Sequence, residues 1–416
     1  MTPTAASRSD SPGLATRKGP HKHSTESTAE LPRQRGEIGN VLLDRVMRRI
    51  RGSRPVPAND LPFYVRVDRA CGGRFAQLWF LTRGCSWDRR GACTMCNYGQ
   101  AHPVAGDTMV ESVRLGLESV PAGVEELYIS PSGSLLDPLE VPPEARRLIY
   151  QLVASFPCSR FSLETRAETV SPRAVSELVA AMGGIPVSVG MGLESSSPWI
   201  RRFCINKKGH LGQFEESSRL MHERGVGVYA NVALGTAFLT ASEAIDDARS
   251  TVQWALGRGD TALVFPMHVK AHTLLEWLYR QACYRPPSLW SLIEVLASIR
   301  PEDLPRVNIS WYQSNYGDGS DVIDSPSTCP RCQPRVLELL DRFRDNPSSS
   351  TVADLVACEC ECKGVWRKEV ASRPERPRAQ RVIEQYENLA RAFNLMDWWS
   401  THQSEVVAQM LEPEDS

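Results

Sequence analysis

Between Ala76 and Val269 the chain alternates six times between a short β-rich run and a longer stretch of helical spacing. The runs are Ala76–Thr82, Val124–Ser130, Arg160–Arg166, Pro186–Leu193, Val226–Leu234 and Thr261–Val269. Helical periodicity fills the gaps over Val110–Ser119, Pro143–Ala154, Pro172–Met182, Gln213–Arg224 and Ala241–Leu256. Ser171 before Pro172, and Thr240 before Ala241, supply helix-starting caps. This repetition calls for parallel strands joined by helical crossovers, an α/β architecture. Six units are too few to close an eight-stranded barrel. They suit a partial (β/α)6 barrel or a doubly wound sheet, and in both the reactive site lies at the carboxyl ends of the strands. A seventh strand-like run, Val307–Tyr312, follows a helical Trp290–Ile299.

The 416 residues, 42% of them hydrophobic, allow a large core. Residues 1–36, rich in Ser, Thr, Pro and Ala, read as a disordered leader without the apolar segment of an export signal. Residues 37–62 hold an amphipathic helix over Ile38–Ile50 and a proline-bearing linker. The barrel is assigned to 63–312, and 313–416 to a C-terminal, cysteine-bearing helical region. A net charge of −1 gives no global pull towards nucleic acid or anionic lipid. No stretch approaches the roughly 20 apolar residues of a membrane span. A cytoplasmic protein with no membrane partner is expected.

The twelve cysteines are mostly clustered, which in a reducing compartment favours metal over disulfides. Cys85, Cys93 and Cys96 directly follow the first run and so fall at the carboxyl mouth. Three soft thiolates can hold three irons of a four-iron cluster and leave the fourth open. The competing assignment is zinc, with His102 as a fourth ligand. Farther on, Cys329 and Cys332, with Cys360 and Cys362 as the preferred second pair, have the makings of a zinc knuckle. Free thiols or a second iron–sulfur cluster are the alternatives, and Cys358 is left over. Cys71, Cys158, Cys204 and Cys283 read as buried small hydrophobes.

Beyond the cysteines, several segments resemble radical S-adenosylmethionine (SAM) enzymes, and within them the archaeosine synthase radical SAM subunit family. They include Tyr128–Val141, Leu163–Arg166, Gly192–Ser195, Ile205–Lys207, Phe238–Asp247 and Tyr284–Leu296, and the Cys360/Cys362 pair before Trp366. The likeness covers roughly residues 60 to 370. It implies a [4Fe-4S] cluster on Cys85, Cys93 and Cys96 whose open iron chelates SAM. Reductive cleavage of SAM then gives a 5′-deoxyadenosyl radical that takes hydrogen from substrate. It also implies SAM contacts at Ser132, Gly133 and Ser134, at Glu164 and Arg166, and at Glu194, with Met95 or Tyr98 against adenine. An electron donor such as flavodoxin or ferredoxin is implied as partner.

Two departures bear on substrate. Asn231–Thr236 replaces a lysine- and proline-bearing stretch expected after the fifth strand, and Cys358 is unusual. The substrate is therefore expected to be a nucleoside type, either a deazaguanine in tRNA or a free nucleotide of natural-product biosynthesis. His268, His272, Asn206 and Lys207 are candidate substrate contacts. The alternative function is a zinc-stabilised RNA-binding protein without redox activity.

Overall fold

A computed structural model describes residues 38–52, 63–91, 93–99, 104–313 and 322–412. The expected leader and His102 lie outside these residues. Ten strands occur among them: β1 (Phe63–Ala70), β2 (Gly73–Phe80), β3 (Glu126–Pro131), β4 (Arg160–Thr165), β5 (Val187–Glu194), β6 (Gly227–Leu234), β7 (Thr261–Pro266), β8 (Val269–Lys270), β9 (Val307–Ile309) and β10 (Val322–Asp324). Eight of them form one sheet in the order β1-β2-β3-β4-β5-β6-β7-β9. β2 through β7 and then β9 pair in parallel, while β1 forms an antiparallel hairpin with β2.

The helices are α1 (Ile38–Arg51), α2 (Gly106–Ser119), α3 (Pro143–Ala154), α4 (Pro172–Met182), α5 (Pro198–Ile200), α6 (Leu211–His222), α7 (Ala241–Leu256), α8 (Leu274–Arg280), α9 (Leu289–Ala297), α10 (Gln333–Asp345), α11 (Ser349–Ala357), α12 (Glu361–Ala371), α13 (Arg378–Ala392) and α14 (Met396–Leu411). The sequential strand order decides between the two architectures considered. A doubly wound sheet reverses direction at a switch point. Here every crossover moves one strand onward, so right-handed connections leave the helices on one face. The result is a partial (β/α)6 barrel, extended by the hairpin strand β1 at one edge and by β9 at the other.

Along the parallel strands, side chains alternate between two faces up to the bulge at the end of β5. Leu127, Ile129, Phe161, Leu163, Val189, Met191, Ala230 and Val264 face the helices and are fully buried. They pack on Met109 and Val113 of α2, Ile149 of α3, Leu178 of α4, Met221 of α6 and Val252 of α7. The other face carries Tyr128, Ser130, Ser162, Glu164, Ser188, Tyr229 and Asn231, which line a cavity. Small and polar residues there keep the barrel interior open, so the strand period of two creates both core and site.

Caps set the helix starts. Ser171 Oγ accepts from Ala174 N at α4, and Thr240 with Glu243 forms a capping box at α7. A second apolar cluster joins α1, α5, α8, α13 and α14 through Leu43, Ile200, Leu278, Tyr386 and Trp399. Trp399 is buried, while its neighbour Trp398 stacks on His402. Of the four scattered cysteines, Cys204 is buried and Cys158 half-buried. Cys71 and Cys283 are exposed, against expectation, because each lies in a turn outside the core. No helix among the described residues is long and apolar enough to cross a membrane.

Candidate functional site

The loop leaving β2 carries Cys85, Cys93 and Cys96. Gly84, at φ 79°, makes the first bend. Cys85 N then donates to Tyr98 O at 3.3 Å, which closes the loop on itself. Its centre is an ion pair between Asp88, fully buried, and Arg51 at the end of α1. Asp88 also accepts from Gly99 N, and Arg51 donates to the carbonyls of Cys93 and Cys96 at 3.3 and 2.8 Å. Thr94 fastens the loop to the π-helical turn after α5, its N bonding Ile205 O at 3.0 Å and its Oγ1 bonding Cys204 O at 2.8 Å.

All three thiols line one cavity of about 450 Å³ at the carboxyl end of the sheet. Burial pushes each of them up, Cys96 to about 12, and their neighbours Asp88 and one another add to the effect. The pocket thus disfavours bare thiolates.

The turn after β3 is tightly bound. Ser132 Oγ accepts from Thr82 N at 2.9 Å, and Ser134 Oγ lies 2.5 Å from Thr165 Oγ1. Both hydroxyls are buried, and of the three residues Gly133 is the one that lines the cavity. Arg166, after β4, lies 2.6 Å from Asp137, 2.6 Å from Glu140 and 2.9 Å from Glu168, and donates to Cys85 Sγ at 3.2 Å. Its guanidinium is therefore held by three carboxylates beside the first cysteine. Glu140 further accepts from Ser86 N and Ser134 N, so one side chain joins the cysteine loop to the Ser-Gly-Ser turn.

Glu164 points into the barrel, accepting from Ser130 Oγ at 3.0 Å and Asn231 Nδ2 at 3.1 Å. Glu194 ends β5 at a bulge, with φ 62°, and pairs with Lys207 Nζ at 2.8 Å. Its Oε2 is buried without a hydrogen-bond partner among the described residues. Met95 and Tyr98 also line the cavity, and Lys270 Nζ sits 5.2 Å from the Tyr98 ring and 4.1 Å from that of Trp311. Of the candidate substrate contacts, His268 and Lys207 line the cavity. Asn206 instead bonds Asp44, and His272 lies in a turn capped by Glu276.

Sequence reading passed over Arg51, Asp88 and Glu140, whose roles arise from contacts 37 and 54 positions apart in the chain. It also passed over Tyr128 and Tyr229 as site residues; their alternation with apolar strand neighbours was the available signal.

Cys329, Cys332, Cys360 and Cys362 come together elsewhere, their ligand atoms all within 4.8 Å of one another. Sγ separations are 3.6 Å for Cys329–Cys332, 3.5 Å for Cys329–Cys360 and 3.5 Å for Cys332–Cys362. Among the described residues these four thiols form the group drawn in to single-ion spacing.

An open barrel with three convergent thiols at the carboxyl mouth is the arrangement that the resemblance to radical SAM enzymes implies. No family model matches the chain. It is 32% identical over 300 residues to archaeosine synthase subunit beta of Methanosarcina acetivorans, covering 70% of this chain and 83% of that one. It is 30% identical over 316 residues to archaeosine synthase subunit beta of Thermococcus kodakarensis, covering 74% and 95%. The chain belongs to the archaeosine synthase subunit beta family. Among solved structures, queuine lyase from Clostridium spiroforme is 15% identical, covers 61% of this chain and 100% of that one, and gives a TM-score of 0.42. Membership of an enzyme family sets aside the alternative of an RNA-binding scaffold without redox activity.

Proposed function

We propose that Cys85, Cys93 and Cys96 hold a [4Fe-4S] cluster, that SAM binds over it, and that the substrate is a nucleoside-type base, a deazaguanine within tRNA. The observation that carries this reading is the convergence of three thiols, two buried and one half-buried, on a cavity of about 450 Å³. The donor set fits the group: three soft sulfur ligands converge on one cavity. When bound, the cluster and SAM supply one-electron cleavage of a carbon–sulfur bond, and the protein positions the reactants.

The chain's own groups have definable tasks. Gly133 leaves backbone exposed where the amino acid end of SAM would lie. Glu194 offers a carboxylate oxygen with an open hydrogen-bonding position to a ribose hydroxyl or an amine. Arg166 keeps Asp137, Glu140 and Glu168 in place and lends positive charge to Cys85. Deeper in the barrel, Tyr128, Tyr229 and Phe265 surround Glu164 and Asn231. Aromatic walls with a few fixed polar groups suit a planar heterocycle rich in donors. The relatives' name supports a tRNA deazaguanine over a free natural-product nucleotide. The four C-terminal thiols take no part in this chemistry; on this reading they hold a separate structural ion.

Anaerobically purified protein is expected to be brown, with about four irons at the loop site, and to release 5′-deoxyadenosine when given SAM and dithionite. Cys93→Ala should lose the colour and keep the fold. A colourless wild-type protein without iron would refute the cluster. Turnover of a free nucleotide, with none on tRNA, would move the substrate assignment.

A further inference from the structure

The C-terminal thiols lie among elements that the proposed chemistry does not use. Cys329 and Cys332 precede α10, and Cys360 and Cys362 begin α12. Zinc–sulfur bonds near 2.3 Å place the corners of a tetrahedral site about 3.8 Å apart. Three of the six Sγ separations, at 3.5, 3.5 and 3.6 Å, lie close to that edge. A four-iron cluster, with its own sulfides between the thiolates, needs a wider opening. The surroundings complete the site. Trp290 Nε1 of α9 donates to Cys362 Sγ at 3.3 Å, and Arg331 Nη2 donates to Cys360 Sγ at 3.5 Å. Cys358 is not in the group; its Sγ lies 3.4 Å from Asp354 O.

From this corner α10 runs to the open side of the barrel. Near its end Asp341 accepts from Tyr312 Oη at 2.7 Å, just past β9. Arg344, buried, lies 2.5 Å from Asp68 of β1 and 5.7 Å from the ring of Phe75 of β2. Its carbonyl accepts from Cys71 N at 3.0 Å in the turn between β1 and β2. One helix end therefore touches edge strand β1 and the chain just past edge strand β9, and Arg344, Asp68, Phe75 and Cys71 all line the cavity.

We infer that Cys329, Cys332, Cys360 and Cys362 bind one zinc ion, and that this ion clamps α10 across the gap between β1 and β9 and so closes the wall of the cavity. The assignment deepens the reading of these thiols as a separate structural site and is independent of the loop cluster.

The test uses the full-length protein, purified anaerobically. One zinc per chain is expected by elemental analysis. It should be retained in Cys93→Ala and in Cys358→Ser, and lost in Cys360→Ser. Metal-free protein titrated with Co2+ should show the absorption bands of tetrahedral tetrathiolate cobalt. Hydrogen exchange should rise at least tenfold in α10 and β1 on zinc removal, with α3 and α4 unchanged. Where Cys360→Ser does not fold, chelator-treated wild-type protein gives the same measurement. Absence of zinc, iron at these thiols, or zinc retained by Cys360→Ser overturns the ion. Zinc loss that leaves α10 and β1 protected, or that unfolds every helix alike, overturns the clamp. Loss of colour in Cys93→Ala with zinc intact bears on the loop cluster alone, so the two readings fail separately.

Discussion

Gly133 stands where a side chain has no room. Its φ is 149°, and a Cβ built there would lie 2.1 Å from Glu140 Oε2. Glu140 cannot step aside cheaply, because it also binds Ser86 N, Ser134 N and Arg166. Burial pushes its carboxyl above the usual range, even with Arg166 beside it. Gly133→Ala should therefore displace Glu140 and disturb both the cysteine loop and the neighbouring turn. The strained backbone costs on the order of 1–3 kcal/mol, while SAM affinity should fall at least tenfold. Equilibrium dialysis with labelled SAM, beside a urea titration, checks both. Wild-type affinity in the alanine variant would remove Gly133 from the site. The three cysteines stand out in the sequence by their spacing, and Gly133 through the resemblance to radical SAM enzymes. Glu140 was not, since nothing local distinguishes a carboxylate that holds two loops from one that faces water.

At the scale of elements, α1 holds the cysteine loop through two arginines, Arg48 bonding Arg90 O at 3.0 Å and Arg51 the loop's centre. Arg51 reaches Asp88 and two cysteine carbonyls from the last turn of that helix. Its removal would strand a buried carboxylate, a change that typically costs about 3–5 kcal/mol. The expected outcome for Arg51→Ala is a protein with β3 to β7 intact by hydrogen exchange but with less than half the iron per chain. Full iron loading would show that the loop orders itself without α1. The parallel strands and their helices were readable because each apolar run repeats with period two and each following stretch with helical period. β1 was passed over, although Phe63, Val65 and Val67 alternate and Cys71–Gly72 forms a turn with positive φ at both residues. Its other face carries Arg66 and Asp68, which point into the cavity rather than to solvent. Without that cavity known, two charges in a short run give no sign of a strand. The cysteine loop accordingly follows the second strand of the sheet, not the first.

Across the whole molecule, two ion pairs tie the C-terminal helices to the barrel. Arg381 of α13 lies 2.5 and 2.7 Å from the two oxygens of Glu243 on α7, and Arg344 of α10 meets Asp68 of β1. Burial alone would raise both carboxyls. The Thr240 N–H and Arg381 hold Glu243 below its ordinary value of 4.5, and Arg344 does the same for Asp68 against 3.8. A carboxyl whose folded pKa is depressed binds its proton more readily in the unfolded chain. Its stabilisation is thus complete above the unfolded value and disappears as pH falls through the folded one. The attachment of α13 and α10 should accordingly be unaffected from pH 7 down to about 5 and weaken progressively below about 4.5. Glu243→Gln, which keeps the shape and removes the charge, should be less stable than wild type by about 1–3 kcal/mol at neutral pH. That gap should close as acid protonates the wild-type carboxyl. Urea titrations of both proteins between pH 7 and pH 3, followed by tryptophan fluorescence, would show the two curves converging. Parallel curves at a fixed separation would mean that Glu243 acts through packing and the α7 cap rather than through its charge.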